Sequence, residues 1–186
     1  MTSIDDLWFL ADTASQRAEQ AAHRLRTQYD DYIRKRQSRR VSRRRFRTLA
    51  QRIRQSGAPY GTHTIVYREN DDVLLVRHDG IDQWVLPGGE VGRDEAFREA
   101  ARRELAEEAG IEAEYDGLAL LVTVEIESDG HETWGVMPIF EAQARDDRTE
   151  TDDPDGEISD AGWFSTVPPD TRDRPYLNAW RETRSK

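Results

Sequence analysis

Across Gly57-Ala-Pro-Tyr-Gly61 the apolar residues change from the three-and-four spacing of helices to the short runs of strands, and this switch limits what the chain can fold into. Residues 3–36 contain neither Pro nor Gly, and Ser3 with Asp6 can form a capping box, so a long helix is predicted there. Its seam is Ile4, Leu7, Ala11, Ala14, Ala18, Ala21, Leu25, Gln28 and Tyr32, a heptad stripe whose alanines let helix axes approach closely. A second helix is expected over 42–56, with Phe46, Leu49, Ala50 and Ile53 on one face and Gly57 as its stop. Helices with such narrow apolar faces do not fold alone. They must pair with each other, with the rest of the chain or with a second copy, and a homodimer is the expectation.

Beyond the switch, residues 62–68 and 73–77 read as strands flanking Glu69-Asn-Asp-Asp72, a hairpin, and 84–86 as a third strand ending at Pro87-Gly-Gly89. Helical periodicity returns over 94–109 through Phe97, Ala101 and Leu105, with Gly110 as the stop. Strands at 118–127 and 133–142 flank Ser128-Asp-Gly130, an acidic loop covers 143–160, and a short strand at 162–164 precedes a last helix near 174–183. Strands interleaved with one central helix and no repeat make residues 60–186 a mixed α/β domain, preceded by a helical hairpin within 1–57.

Composition removes several classes. With no cysteine, disulfides and thiolate metal sites are excluded. The longest stretch free of charge and turn residues is about 118–124, far short of the ~20 apolar residues of a membrane span. Asp5 and Asp6 stand where a secretory signal would be basic, so a cytosolic location is expected. The chain has 27 Lys+Arg against 37 Asp+Glu, a net charge of −10, but the halves differ: residues 1–60 hold 14 basic and 6 acidic residues, +8, which leaves −18 for residues 61–186. Only Lys35 and Lys186 are lysines. This Arg- and Asp-rich composition resembles that of haloarchaeal proteins, with an ordinary acidic protein from a GC-rich genome as the alternative.

The stretch from Gly89 to Ile111 carries the chemistry. Glu104, Glu107 and Glu108 are spaced i, i+3 and i+4, so their carboxylates share one helical face and disfavour one another unless a cation stands among them. Hard oxygen donors without cysteine or a histidine cluster suit Mg²⁺ or Mn²⁺, completed by water and phosphate oxygens. The stretch fits Gly-x5-Glu-x7-Arg-Glu-apolar-x-Glu-Glu-x-Gly-apolar at all nine specified positions over 23 residues, far more specific than most short motifs. On these residues the chain resembles the Nudix hydrolases, and the strand order extends the likeness to about 60–170.

The resemblance implies an α/β/α sandwich around a mixed sheet and metal-dependent hydrolysis of a diphosphate. It makes Glu104 a metal ligand and in some members the base, Glu107 and Glu108 ligands, and Glu95 with Arg103 a structural pair that orients loop and helix. Pro87-Gly88-Gly89 turns from strand to catalytic loop, where the Gly89 carbonyl is an additional ligand candidate. A further acidic residue often comes from a loop beyond the box; Glu157, six residues before Trp163, is the candidate base or ligand, with a solvated acidic loop as the alternative. Three solvated glutamates are the bland reading of 104, 107 and 108, and their place in the box weighs against it.

Substrate signals are sparse. Trp84 and Trp134 are candidates to stack on a base, although aromatics in short strands more often serve the core. The four histidines show no metal spacing. The proline of the ADP-ribose subgroup is missing near Glu125, as is the tyrosine of dinucleoside-polyphosphate hydrolases near Ser128, while the helical extension is similar to a subgroup that cleaves CDP-choline and related diphosphates. The reading is a Mg²⁺-dependent hydrolase of a nucleoside diphosphate linked to another moiety, such as a nucleotide-sugar, CDP-choline-like or ADP-ribose-like compound. The alternatives are a (d)NTP pyrophosphohydrolase and a non-catalytic, RNA-associated or regulatory protein of the same fold. Residues 34–47 hold nine basic residues and no acid. Their favoured partner is the acidic remainder of the molecule or dimer rather than nucleic acid.

Overall fold

The seam predicted near the N-terminus buries itself within the chain. In the computed structural model, which describes residues 4–186, Leu7, Ala11, Ala14, Ala18, Ala21 and Leu25 are buried along α1 (Ile4–Gln28). The capping box through Ser3 lies outside the described residues. The helix ends at Gln28, short of residue 36, and Asp31 adopts a left-handed φ of 54° before the chain enters β1 (Ile33–Arg40). No Gly or Pro marks this break. It arises because β1 finds a parallel partner far along the sequence, and tertiary pairing overrides local propensity. The helical hairpin therefore consists of α1 and α2 (Arg43–Ser56) with a strand between them. Ser42 caps α2 by accepting from the Arg45 amide, Phe46, Leu49, Ala50 and Ile53 form its buried face, and Gly57 closes it at φ 91° as expected.

The remaining elements are β2 (Thr62–Tyr67), β3 (Val73–His78), β4 (Gln83–Val85), β5 (Gly88–Gly89), α3 (Phe97–Ala109), β6 (Ala113–Ser128), β7 (His131–Ala144), β8 (Ile158–Phe164) and α4 (Arg174–Arg184). They build one mixed sheet of order β1-β6-β7-β2-β3-β4, with β5 on β2 and β8 on β3. β1 runs parallel to β6 and β2 parallel to β7; the other pairs are antiparallel. The hairpin across 69–72 forms, but β2 and β3 pair only at Tyr67 and Val73 and then diverge, which leaves β2 free to pair His63 with Gly88 and Thr62 with Gly89. That divergence puts the glycine turn on the sheet.

Both faces of β2 and β3 are covered, as an α/β/α sandwich requires. Val66, Leu74 and Val76 share a core with Leu105, Ala109 and Ile111 at and beyond α3, whereas Ile65, Val73 and Leu75 join Phe46 and Leu49 of α2 and Leu177 and Trp180 of α4. α1 and α2 pack on each other and on the β6–β7 hairpin, where Ser15 and Ala11 hydrogen-bond Thr133 and the Gly57 carbonyl accepts from the Val136 amide. The central helix starts three residues later than the periodicity suggested, because Asp94 takes a left-handed φ of 62° and Ala96 stands at the cap. No described helix is long and apolar enough to cross a membrane.

Candidate active site

The loop between β5 and α3 is held by one arginine. Arg103 Nε and Nη2 donate to Glu95 Oε1 and Oε2 at 2.9 and 3.1 Å, and Nη2 also donates to the Glu90 carbonyl at 3.0 Å. Glu95 Oε2 in turn accepts the Gly92 amide at 2.8 Å. These bonds, with Arg103 contributing most, hold the Glu95 carboxyl below its usual range, so it stays ionised and the loop stays folded onto the helix. Sequence reasoning paired the same two residues.

On the same helix face Arg103 Nη1 reaches Glu104 Oε1 at 2.7 Å and Glu107 Oε2 at 3.4 Å, while Glu108 Oε2 accepts the Gly88 amide at 2.9 Å. Glu108 is 8% exposed, and its burial, with Glu104, Asp153 and Glu107 nearby, pushes its pKa up to about 8 against the pull of the Gly88 amide. Burial also raises Glu104, against the pull of Arg103. Gly89 lies directly against Glu104, since a Cβ there would fall 2.5 Å from the Glu104 carboxyl carbon. Gly61, at φ +73°, lets the Gly89 carbonyl pass where any side chain would stand.

Among the described residues, no three acidic or histidine side chains converge as a ready metal cage. The donor set nevertheless fits a divalent ion: buried Glu108 and partly buried Glu104 both have raised pKa values, Glu104 and Glu107 share the single Arg103 guanidinium, and a glycine turn leaves room for close approach, which makes a hard-oxygen site that a cation would complete. A cation would stabilise what burial destabilises.

A cleft of about 1040 Å³ opens here. Gly89, Glu104, Glu108 and Glu157 line it together; Glu107, which like Glu104 faces Arg103, is not part of the lining. Glu157 Oε2 stands 3.4 Å from His78 Nε2, and the acidic loop is shaped by Asp153, whose Oδ2 accepts the amides of Glu157 and Ile158. The loop is also tied to the end of α3, through Glu150 and Asp152 amides on the Ala109 and Glu107 carbonyls. Trp84 stands outside this cleft, edge-on to Phe164 at 4.8 Å, and Trp134 lines a separate hollow of about 350 Å³ with Leu121 and Val136. Sequence reading missed other residues that line the cleft: Lys35, Arg39, Arg45, Tyr60 and Tyr176, together with His63, whose buried Nδ1 has no hydrogen-bond partner. The basic run over residues 34–47 was the available signal for Lys35, Arg39 and Arg45.

A model of the NUDIX domain matches residues 59–173. A protein of Bacillus subtilis strain 168, named as a candidate 8-oxo-dGTP diphosphatase, is 43% identical over 53 residues, covering 28% of this chain and 36% of that protein, so the chain matches about a third of that relative's length. Among solved structures, a MutT NUDIX hydrolase from Burkholderia pseudomallei is 25% identical with a TM-score of 0.47, covering 63% of this chain and 94% of its own. An ADP-ribose pyrophosphatase from Streptococcus suis is 18% identical with a TM-score of 0.49, covering 67% and 90%. With the domain match over most of its length and the box complete from Gly89 to Ile111, the chain belongs to the NUDIX family of hydrolases.

Proposed function

We propose that this protein hydrolyses a diphosphate linkage in a nucleoside diphosphate joined to another moiety, with Mg²⁺ held by Glu104, Glu107, Glu108 and the Gly89 carbonyl. The observation that supports this most is the pair of carboxylates, buried Glu108 and partly buried Glu104, lining one cleft beside a glycine turn. When bound, the ion neutralises charge on the diphosphate and makes water a better nucleophile at neutral pH. Arg103 and Glu95 keep loop and helix in register, so that the Gly89 carbonyl and Glu104 stay together. Glu157, at the cleft wall, accepts the proton of the attacking water in this reading, with Glu104 as the other candidate for that proton. A (d)NTP as substrate is the second reading, favoured by the basic residues that share the cleft. A non-catalytic regulatory role is disfavoured by the intact set of three glutamates.

A panel of ADP-ribose, CDP-choline, NADH, dinucleoside polyphosphates and (d)NTPs, assayed with Mg²⁺ for released phosphate products, tests the proposal. Turnover of at least one compound that disappears with EDTA is expected; none with any member of the panel removes the enzyme reading. We further propose a cytoplasmic homodimer. Its support is no longer the alanine seam, which is spent inside the chain, but adjacent Trp8 and Phe9, 62% and 67% exposed on α1. Sedimentation as a monomer at every concentration would remove it.

A further inference from the structure

The alternation of β1 divides its basic residues between two environments. Arg36 and Arg40 pair with Glu125 and Glu127 of β6, which satisfies the expectation of an acidic partner within the molecule. Lys35 and Arg39 alternate with them in β1, so they project from the opposite face of the strand, and both line the cleft that holds Glu104 and Glu108. Gln37, on their face, links Tyr176 to Arg39: with its nitrogen toward the Tyr176 hydroxyl, its oxygen accepts from Arg39 Nε and Nη2 at 3.0 and 3.2 Å. Arg45, in the first turn of α2, lines the same cleft. Arg36, Arg52 and Arg172 also reach it but are paired, with Glu125 at 3.1 Å, Glu90 at 2.6 Å and Asp173 at 3.2 Å. Lys35, Arg39 and Arg45 make no ion pair among the described residues.

A cleft lined by acidic side chains and, in addition, by three cations without an ion-pair partner among the described residues is built to hold an anionic group as well. We propose that Lys35, Arg39 and Arg45 form a phosphate subsite for groups that the substrate carries beyond the diphosphate that is cut. This deepens the hydrolase reading and rests on it for the position of the reacting bond. Divalent-ion chemistry occupies the glutamate side, and the remaining phosphate oxygens meet arginines, whose planar donors suit them. The cavity is large enough for a nucleotide with an extended phosphate chain. A nucleic-acid strand is disfavoured because the cations line a cleft, while Arg36 and Arg40 on the other face of β1 are already paired.

Calorimetry on the full-length chain with Mg²⁺ tests this, using ATP and ADP analogues in which methylene replaces every bridging oxygen. The ATP analogue should bind about tenfold more tightly, as a charge-assisted contact predicts. Arg39→Gln combined with Lys35→Gln, and separately Arg45→Gln, should remove most of that difference while leaving the ADP analogue within about threefold. Arg40→Ala, on the paired face, should keep it. All three cleft cations are exposed on their elements, so the fold should survive their loss, which circular dichroism checks. Equal wild-type affinities, or an effect of Arg40→Ala as large as that of the cleft variants, overturn the subsite. So does equally tight binding of an RNA oligonucleotide without a terminal phosphate that the same variants abolish. If no compound is turned over but the affinity difference and its loss persist, the enzyme reading fails and the subsite stands.

Discussion

Gly61 gives the sharpest test of how the site is built. A Cβ at this position would lie 1.8 Å from the Gly89 carbonyl oxygen and 2.5 Å from its carbon, at a φ of +73°. For Gly61→Ala, the backbone of β5 must retreat by more than about 1 Å to restore a contact of 3.0 Å. The left-handed conformation costs alanine about 1–2 kcal/mol. Forcing two packed strands apart adds about 1–3 kcal/mol. The variant should therefore lose about 2–5 kcal/mol in urea unfolding of the metal-free protein. Turnover with Mg²⁺ should fall about 10²-fold, the cost of a displacement near 1 Å at a reacting centre. Gly117→Ala is the control, because nothing stands within 4 Å of its Cβ, and it should be neutral. A Gly61→Ala protein within 0.5 kcal/mol of wild type, as about the scatter of surface substitutions, with normal turnover would refute the placement of Gly89 against β2.

Other consequences are open to measurement. Glu107→Gln and Glu108→Gln should each lower turnover by at least ~10²-fold with the fold intact, and normal rates in both would dissolve the assigned metal site; Glu157→Gln should slow turnover if it takes the proton of the attacking water. A chain beginning near Tyr60 would uncover the β6–β7 surface under α1 and α2, including Val124, Ile126 and Met137, and should aggregate rather than stay monomeric, as light scattering would reveal. His63 is buried, and desolvation lowers its pKa from 6.5 to about 4, with Asp173 opposing. Between those values the unfolded chain binds more protons, so stability falls as pH drops from 6.5 toward 4. The loss should reach about 3 kcal/mol and shrink in His63→Gln, measured by metal-free urea titrations.

The box was legible because its chemistry is local. Glu95, Arg103, Glu104 and Glu108 sit within two helical turns and a short loop, so their spacing carries their geometry. The helix stops were legible for the same reason: Gly57 and Gly110 act through neighbours a few residues away. β1 was not legible. Residues 33–40 carry no apolar alternation, and they form a strand only because the backbone edge of β6 lies beside them. Missing that strand hid the cleft role of Lys35 and Arg39. Trp84 and Trp134 read as stacking candidates by type alone, whereas their neighbours, Phe164 for one and Ala22 of α1 for the other, come from distant segments.

The parallel pairing of β1 with β6 also sets an order of assembly. Ser38 reaches Glu125 across 87 residues of chain. At synthesis rates of about 5–20 residues per second, the N-terminal arm therefore waits about 4–17 s after emerging before its partner strand exists. During that interval Leu7, Leu25, Phe46 and Ile53, all buried at the end, have no sheet to cover them. Contacts so distant in sequence form late and carry a large loop-closure cost. The nascent arm is the stage at which this protein is most exposed to chaperones and to its own copies.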